Sequence, residues 1–199
     1  MHNLTRRRVE WAGATCTYPE HVEDDVAGGP GWIIRAADLR PVVTDLETFR
    51  ASLTEDPLAE PIELLWTGNA GAALQMLEVL QQTPRVRALA ADCHRDLGDT
   101  AHAVSQYDVL VAECVGTARE AVIRQHRGKA LLANGETERA VEDFQRAVEL
   151  RRTADPVLLA SAEQGLAVAR SYGPRVTTAG VAGYRIVSFE RSNGSCPCL

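Results

Sequence analysis

Two thiols close the chain. Cys196 and Cys198 stand one residue apart in Ser192-Asn193-Gly194-Ser195-Cys196-Pro197-Cys198-Leu199, behind a polar spacer. Thiolates at that spacing can chelate a soft cation such as Cu(I) or Zn, with Cys16 and His21 as the further donors a complete site would draw on. The same pair can be the target of a modifying enzyme. Cys-Pro-Cys-Leu also fits the C-a-a-X prenylation pattern, although proline and cysteine are poor aliphatic positions and no polybasic segment precedes them. The fourth reading is a terminal segment whose thiols do nothing. On the residues alone all four stay open.

Elsewhere the residue types of catalysis are present without its spacings. There is no Gly-x-Ser-x-Gly, no Gly-x-x-x-x-Gly-Lys and no His-Glu-x-x-His. Asp24-Asp25 and Glu136/Glu138 fall in expected turns or on exposed helix surfaces, where solvated charge is the ordinary role. Cys93 and His94 are neighbours on an expected helix and so point in different directions. Cys93 reads as a small core residue, and His94, His102 and His126 show no ligand spacing on one helix face. The chain is therefore expected not to be an enzyme and to require no cofactor.

Composition narrows the class. The 199 residues are 45% hydrophobic and 24% charged, as in a globular protein. No apolar stretch approaches the roughly 18 residues of a membrane span. With 21 basic against 27 acidic side chains the formal charge is −6, which disfavours a nucleic-acid partner. Lys129 is the single lysine among arginines, a skew that suggests a GC-rich bacterial genome. Thr5-Arg6-Arg7-Arg8-Val9 begins like an export signal, but Glu10, Gly13 and Thr15 interrupt the apolar stretch that should follow. Five cysteines, an odd number, argue against a disulfide framework. Reduced thiols and a cytoplasmic location are expected, with no membrane partner.

The elements that must position these groups follow from punctuation and period. Ala27-Gly28-Gly29-Pro30 ends an irregular arm, Trp32-Ile33-Ile34 is a short extended stretch, and Asp45 can cap a helix before the breaks at Asp56-Pro57 and Glu60-Pro61. Residues 1–57 thus form an N-terminal arm and adapter without an assigned fold. A repeat comes next. Gly68 is followed at offsets of five, nine and twelve by Ala73, Leu77 and Leu80; Gly98 by Ala103, Tyr107 and Leu110; Gly135 by Ala140, Phe144 and Ala147. Each glycine suits a sharp turn between two helices, each alanine their close crossing, and each larger residue the space toward the next pair. Gly128 precedes Gly135 by seven residues, at a small position for helix contact. After Asp155-Pro156, residues 157–172 read as a closing helix, with Gly165 37 residues past Gly128.

This pattern resembles the tetratricopeptide repeat. The second repeat has Ala91 where the family has glycine, and Arg87 and Arg124 stand where it has an early tryptophan. The resemblance implies an all-α, helical-hairpin solenoid over residues 58–173, and a protein or peptide partner held in the concave groove of the first helices. The groove positions then include Arg85, Ala88, Asp92, Arg95 and Asp96 in one repeat and Val122, Gln125, Lys129, Leu132 and Ala133 in the next, with Arg170 extending them. Of these, Arg85, Asp92, Arg95, Gln125 and Lys129 are the candidate partner-binding residues, with Arg95 and Lys129 anchoring acidic groups. The family's chaperone-binding members use a clamp of lysines and asparagines; Gln125 and Lys129 occupy two of its places, but Ala88 and Asp92 occupy others, so that clamp is not reproduced.

Residues 174–199 form the C-terminal extension. Tyr184 to Phe189 alternates with period two and is expected as one short strand, pairing with Trp32-Ile33-Ile34 or with a partner's sheet edge, before the flexible Cys-Pro-Cys tail. A docking strand followed by cysteines is similar to the arrangement in ribosomally made, post-translationally modified peptides, which are usually shorter. The alternative function is therefore a carrier of Cys196 and Cys198 for a modifying enzyme or for Cu or Zn.

Overall fold

The computed structural model describes residues 9–11, 14–16, 25–153 and 155–172. Among them the chain is mostly helical, with a small three-stranded sheet near its start. The helices are α1 (Leu46–Ser52), α2 (Ala59–Trp66), α3 (Ala70–Glu78), α4 (Pro84–Asp96), α5 (Thr100–Cys114), α6 (Glu120–Ala133), α7 (Thr137–Arg151) and α8 (Pro156–Tyr172). Their starts are written locally. Asp45 accepts from the amides of Glu47 and Thr48 at 3.1 Å each, and Thr83 accepts from that of Val86 ahead of α4, which has Pro84 in its first turn. Pro61 lies in the first turn of α2, where its missing N–H costs little.

The glycine positions close three of these helices in one way. Gly68, Gly98 and Gly135 have φ of +92°, +91° and +81°, a region that L side chains avoid. The next residue's amide reaches back to a helix carbonyl each time: Asn69 to Leu64 at 2.7 Å, Asp99 to His94 at 2.9 Å and Glu136 to Leu131 at 2.9 Å. These are Schellman closures. Ala73, Ala103 and Ala140, with Leu77, Tyr107 and Phe144, are then fully buried. Each helix from α2 onward packs on the next, α4 also packs on α6, and α6 on α8.

The adapter differs from the irregular segment the sequence suggests. Strands β3 (Val26–Gly29), β4 (Trp32–Ile34) and β5 (Pro41–Val43) form an antiparallel sheet in the order β3-β4-β5. Trp32 lies directly over Gly28, where a Cβ would come within 2.1 Å of its ring. That stacking is why a glycine-rich stretch is extended. A separate antiparallel pair joins β1 (Val9–Trp11) to β2 (Ala14–Cys16). Because β4 is paired on both sides, the Trp32–Ile34 stretch offers no free edge for a C-terminal strand. Residues 184–189, where that strand is expected, lie outside the described residues.

The sheet is packed against the helices, β3 on α8 and β5 on α2. Between β4 and β5 the chain turns tightly: Leu39 donates its amide to the Arg35 carbonyl at 2.8 Å, and Arg35 donates to that of Arg40 at 2.9 Å. Leu39 has φ +57°, unusual for a bulky side chain. It is 2% exposed and belongs to the same buried cluster as Tyr107, Leu131, Phe144 and Val168. Burial of that side chain, about 2 kcal/mol, offsets the backbone strain. A second cluster joins Phe49, Ile62, Leu65, Leu77 and Cys93, with Trp32 and Trp66 against it.

Candidate functional site

The five residues expected on an exposed groove stripe divide into three groups. Arg85 is exposed, but its guanidinium is paired with Asp56, Nη1 lying 2.9 Å from Oδ1. Asp92, Arg95 and Gln125 are buried, 4%, 7% and 4% exposed. This corrects the exposed placement, and the cause is the β4–β5 hairpin, which covers the face formed by α4, α6 and α8. Lys129 is half-buried beneath the same cover.

Between cover and helices lies a cavity of about 150 Å³. Trp32, Ile34 and Pro41 line it from the sheet, Leu65 and Trp66 from α2, Asp92, Arg95 and Asp96 from α4, and Val122, Gln125, His126 and Lys129 from α6. Arg151, Leu158 and Ser161 complete it. The two indoles, Trp32 and Trp66, pack with ring centroids 4.4 Å apart. A second cavity of about 200 Å³ lies under residues 37–40 and is bordered by Leu132, Val168 and Tyr172. Arg95 and Lys129 line both.

Asp92 is the hub. Its Oδ1 accepts from Arg95 Nη1 at 2.9 Å and lies 2.9 Å from the Tyr107 hydroxyl, whose single hydrogen is shared with the Ala88 carbonyl at 2.8 Å. Its Oδ2 lies 2.8 Å from His126 Nδ1, which therefore carries the proton. Burial alone would raise the Asp92 carboxyl, but Arg95 and His126 hold it well below the usual carboxylate range. Arg95 also reaches Asp96 at 2.8 Å, and Arg40 from the hairpin reaches Asp96 at 3.4 Å. Gln125 donates to the Ser161 carbonyl at 3.1 Å and accepts from Arg151 Nη1.

Lys129 is the exception in this paired set. Burial, and then the guanidiniums of Arg95 and Arg151, push its ammonium down to about 8, with Asp92 and Asp96 opposing. Arg151 is 6% exposed, has no carboxylate partner among the described residues, and is lowered by burial.

In chemical terms Asp92 and His126 form the base-and-orienter half of a proton-transfer set. Among the described residues no hydroxyl or thiol hydrogen-bonds to His126. Cys93 is fully buried, and burial followed by the charges of Asp92 and Asp96 pushes its thiol up to about 12, so it is not a nucleophile. Among the described residues no group of three or more His, Cys, Asp or Glu side chains is placed to hold a metal ion. No described helix is long and apolar enough to cross a membrane. Cys196, Cys198 and His21 lie outside the described residues, and of Cys16 only the backbone is described.

From the sequence His126 reads as a surface or packing residue and Trp32 only as part of a short extended stretch, while Trp66 and Arg151 carry no assigned role. One signal was available: Asp92 and Lys129 are 37 residues apart, the spacing of Gly98 and Gly135, so they hold equivalent positions on α4 and α6. Searches of protein-family models, curated proteins and solved structures each returned no match to the chain.

Proposed function

We propose that the chain is a non-enzymatic scaffold that binds a protein or peptide on the face of α4, α6 and α8, with helical hairpins stacked in the manner of tetratricopeptide repeats. One observation carries this reading: that face already holds an extended segment, the β4–β5 hairpin of the same chain. Gln164 Nε2 donates to the Ile34 carbonyl at 3.2 Å, Arg40 pairs with Asp96, and Leu39 enters the helix core. A surface that orders one extended backbone through a carbonyl contact, an ion pair and an apolar anchor has the chemistry to accept another. The partner's segment enters by replacing the hairpin. The threefold recurrence of a turn glycine, a crossing alanine and a buried large residue supports the stacked arrangement.

The test is site-specific photo-crosslinking in the native host. A crosslinker replaces Val122, exposed on α6 at the cavity, or Val109, exposed on α5 away from it. A defined partner is expected from position 122 and not from 109, with higher yield when Leu39→Ala loosens the hairpin. The same adducts from both positions, or a yield that falls with Leu39→Ala in protein of unchanged helicity, would overturn the assignment.

A further inference from the structure

The charges around the 150 Å³ cavity do not balance. Arg95 is matched by Asp92 and Asp96, and Asp96 also receives Arg40, which pairs with Asp38 as well. Two cations remain. Arg151 gives Nη1 to two neutral acceptors, Gln125 Oε1 and the Leu158 carbonyl at 2.9 Å, leaving Nε and Nη2 for another acceptor. Lys129 makes no hydrogen bond or ion pair among the described residues. Keeping two cations without a direct carboxylate partner in a part-buried site costs free energy that a bound anion would return. The lining also includes the apolar side chains of Trp32, Trp66, Leu65 and Leu158, so the complementary molecule has a charged end and an apolar body.

We propose that this cavity binds a small organic carboxylate with a ring-sized apolar body, its carboxylate between Lys129 and Arg151 and its body against Trp32 and Trp66. The volume sets the size, because a cavity of about 150 Å³ holds one benzene ring. It also sets the source. With the β4–β5 hairpin in place that volume matches a free acid and leaves a longer chain outside the cavity, so the carboxylate is assigned to a small molecule over a peptide terminus. The apolar wall sets the class, since a free inorganic anion would leave that surface unused. This site goes beyond the scaffold reading and does not depend on it.

The experiment titrates the full chain with benzoate, read by calorimetry and by the fluorescence of the tryptophans. Benzamide, inorganic phosphate and a short peptide with a free terminal carboxylate run in parallel. Saturable benzoate binding is expected, weakened about tenfold or more with benzamide and to a similar degree in Lys129→Met, which removes a desolvated charge and keeps the fold. Arg151→Met is read beside it, with circular dichroism to confirm folding. Four results overturn the proposal: no benzoate binding at millimolar concentration, equal binding of benzamide, unchanged binding by Lys129→Met, or binding of phosphate or peptide in place of benzoate. Crosslinking from position 122 reads the scaffold separately, so either reading can fail alone.

Discussion

Lys129 occupies a position where a lysine is costly, and the cost has a sign that can be measured. Facing it are Asp92, Arg95 and Asp96 from α4, His126 from its own helix and Arg151 from α7; Arg40 and Tyr172 line the adjoining cavity. With its ammonium lowered to about 8 from an ordinary 10.5, the folded chain releases a proton that the unfolded chain keeps throughout that interval. Stability from this group therefore rises with pH between about 8 and 10.5, and below that window its charge is a burden. Lys129→Met is expected to be at least as stable as the parent at pH 7 and to lose the rise above pH 8. Urea unfolding at both pH values checks this, and a clear loss of stability at pH 7 would contradict it. Asp92 runs the other way. Its lowered carboxyl contributes stability above the ordinary carboxylate range, which disappears as acid titrates it in the folded state.

At the scale of elements, the third hairpin is locked to the closing helix through one ring. Phe144 of α7 lies between Gly128 of α6 and Gly165 of α8; a Cβ would fall 2.9 Å from the ring at Gly128 and 2.3 Å at Gly165. The ring is fully buried, with a glycine on each side. Gly165→Ala is expected to destabilise by about 1–3 kcal/mol through overpacking, and Gly128→Ala by less. Thermal unfolding of the two variants tests the order, and equal or inverted effects would mean that the ring can shift.

The spacing of Gly128 and Gly165, the turn glycines and the cap at Asp45 were all legible, because each acts through local geometry or a fixed offset. The sheet was not. Half of β3 is glycine, and it is extended because Trp32 covers it, a contact no period reveals. At the site, the shared register of Asp92 and Lys129 was readable, but their burial was not. The cover comes from residues some 50 to 100 positions earlier in the chain. Arg151 was hidden for another reason: an arginine closing a helix looks like an ordinary dipole partner.

At the scale of the whole molecule, a chain of net charge −6 concentrates unmatched positive charge in one covered cavity. Its exterior would hinder an anion's approach while its interior favours capture, so association should quicken with added salt. The C-terminal thiols are a separate question with a direct answer. Trypsin cutting after Arg191 releases residues 192–199, and the scaffold reading expects that peptide, from protein made in its native host, at the mass of its plain sequence. A heavier peptide would make Cys196 and Cys198 a modification substrate and the helices a platform presenting them.

The contact between Gln164 and Ile34 spans 130 positions of sequence, and Leu39 is seated in part by Val168 and Ala169. During synthesis the hairpin leaves the ribosome long before α8 exists to receive it, while each helical pair can form from neighbours already made. A hairpin from the first quarter of the chain is thus completed by a helix more than a hundred residues later, and for much of translation the face that the hairpin finally covers is open.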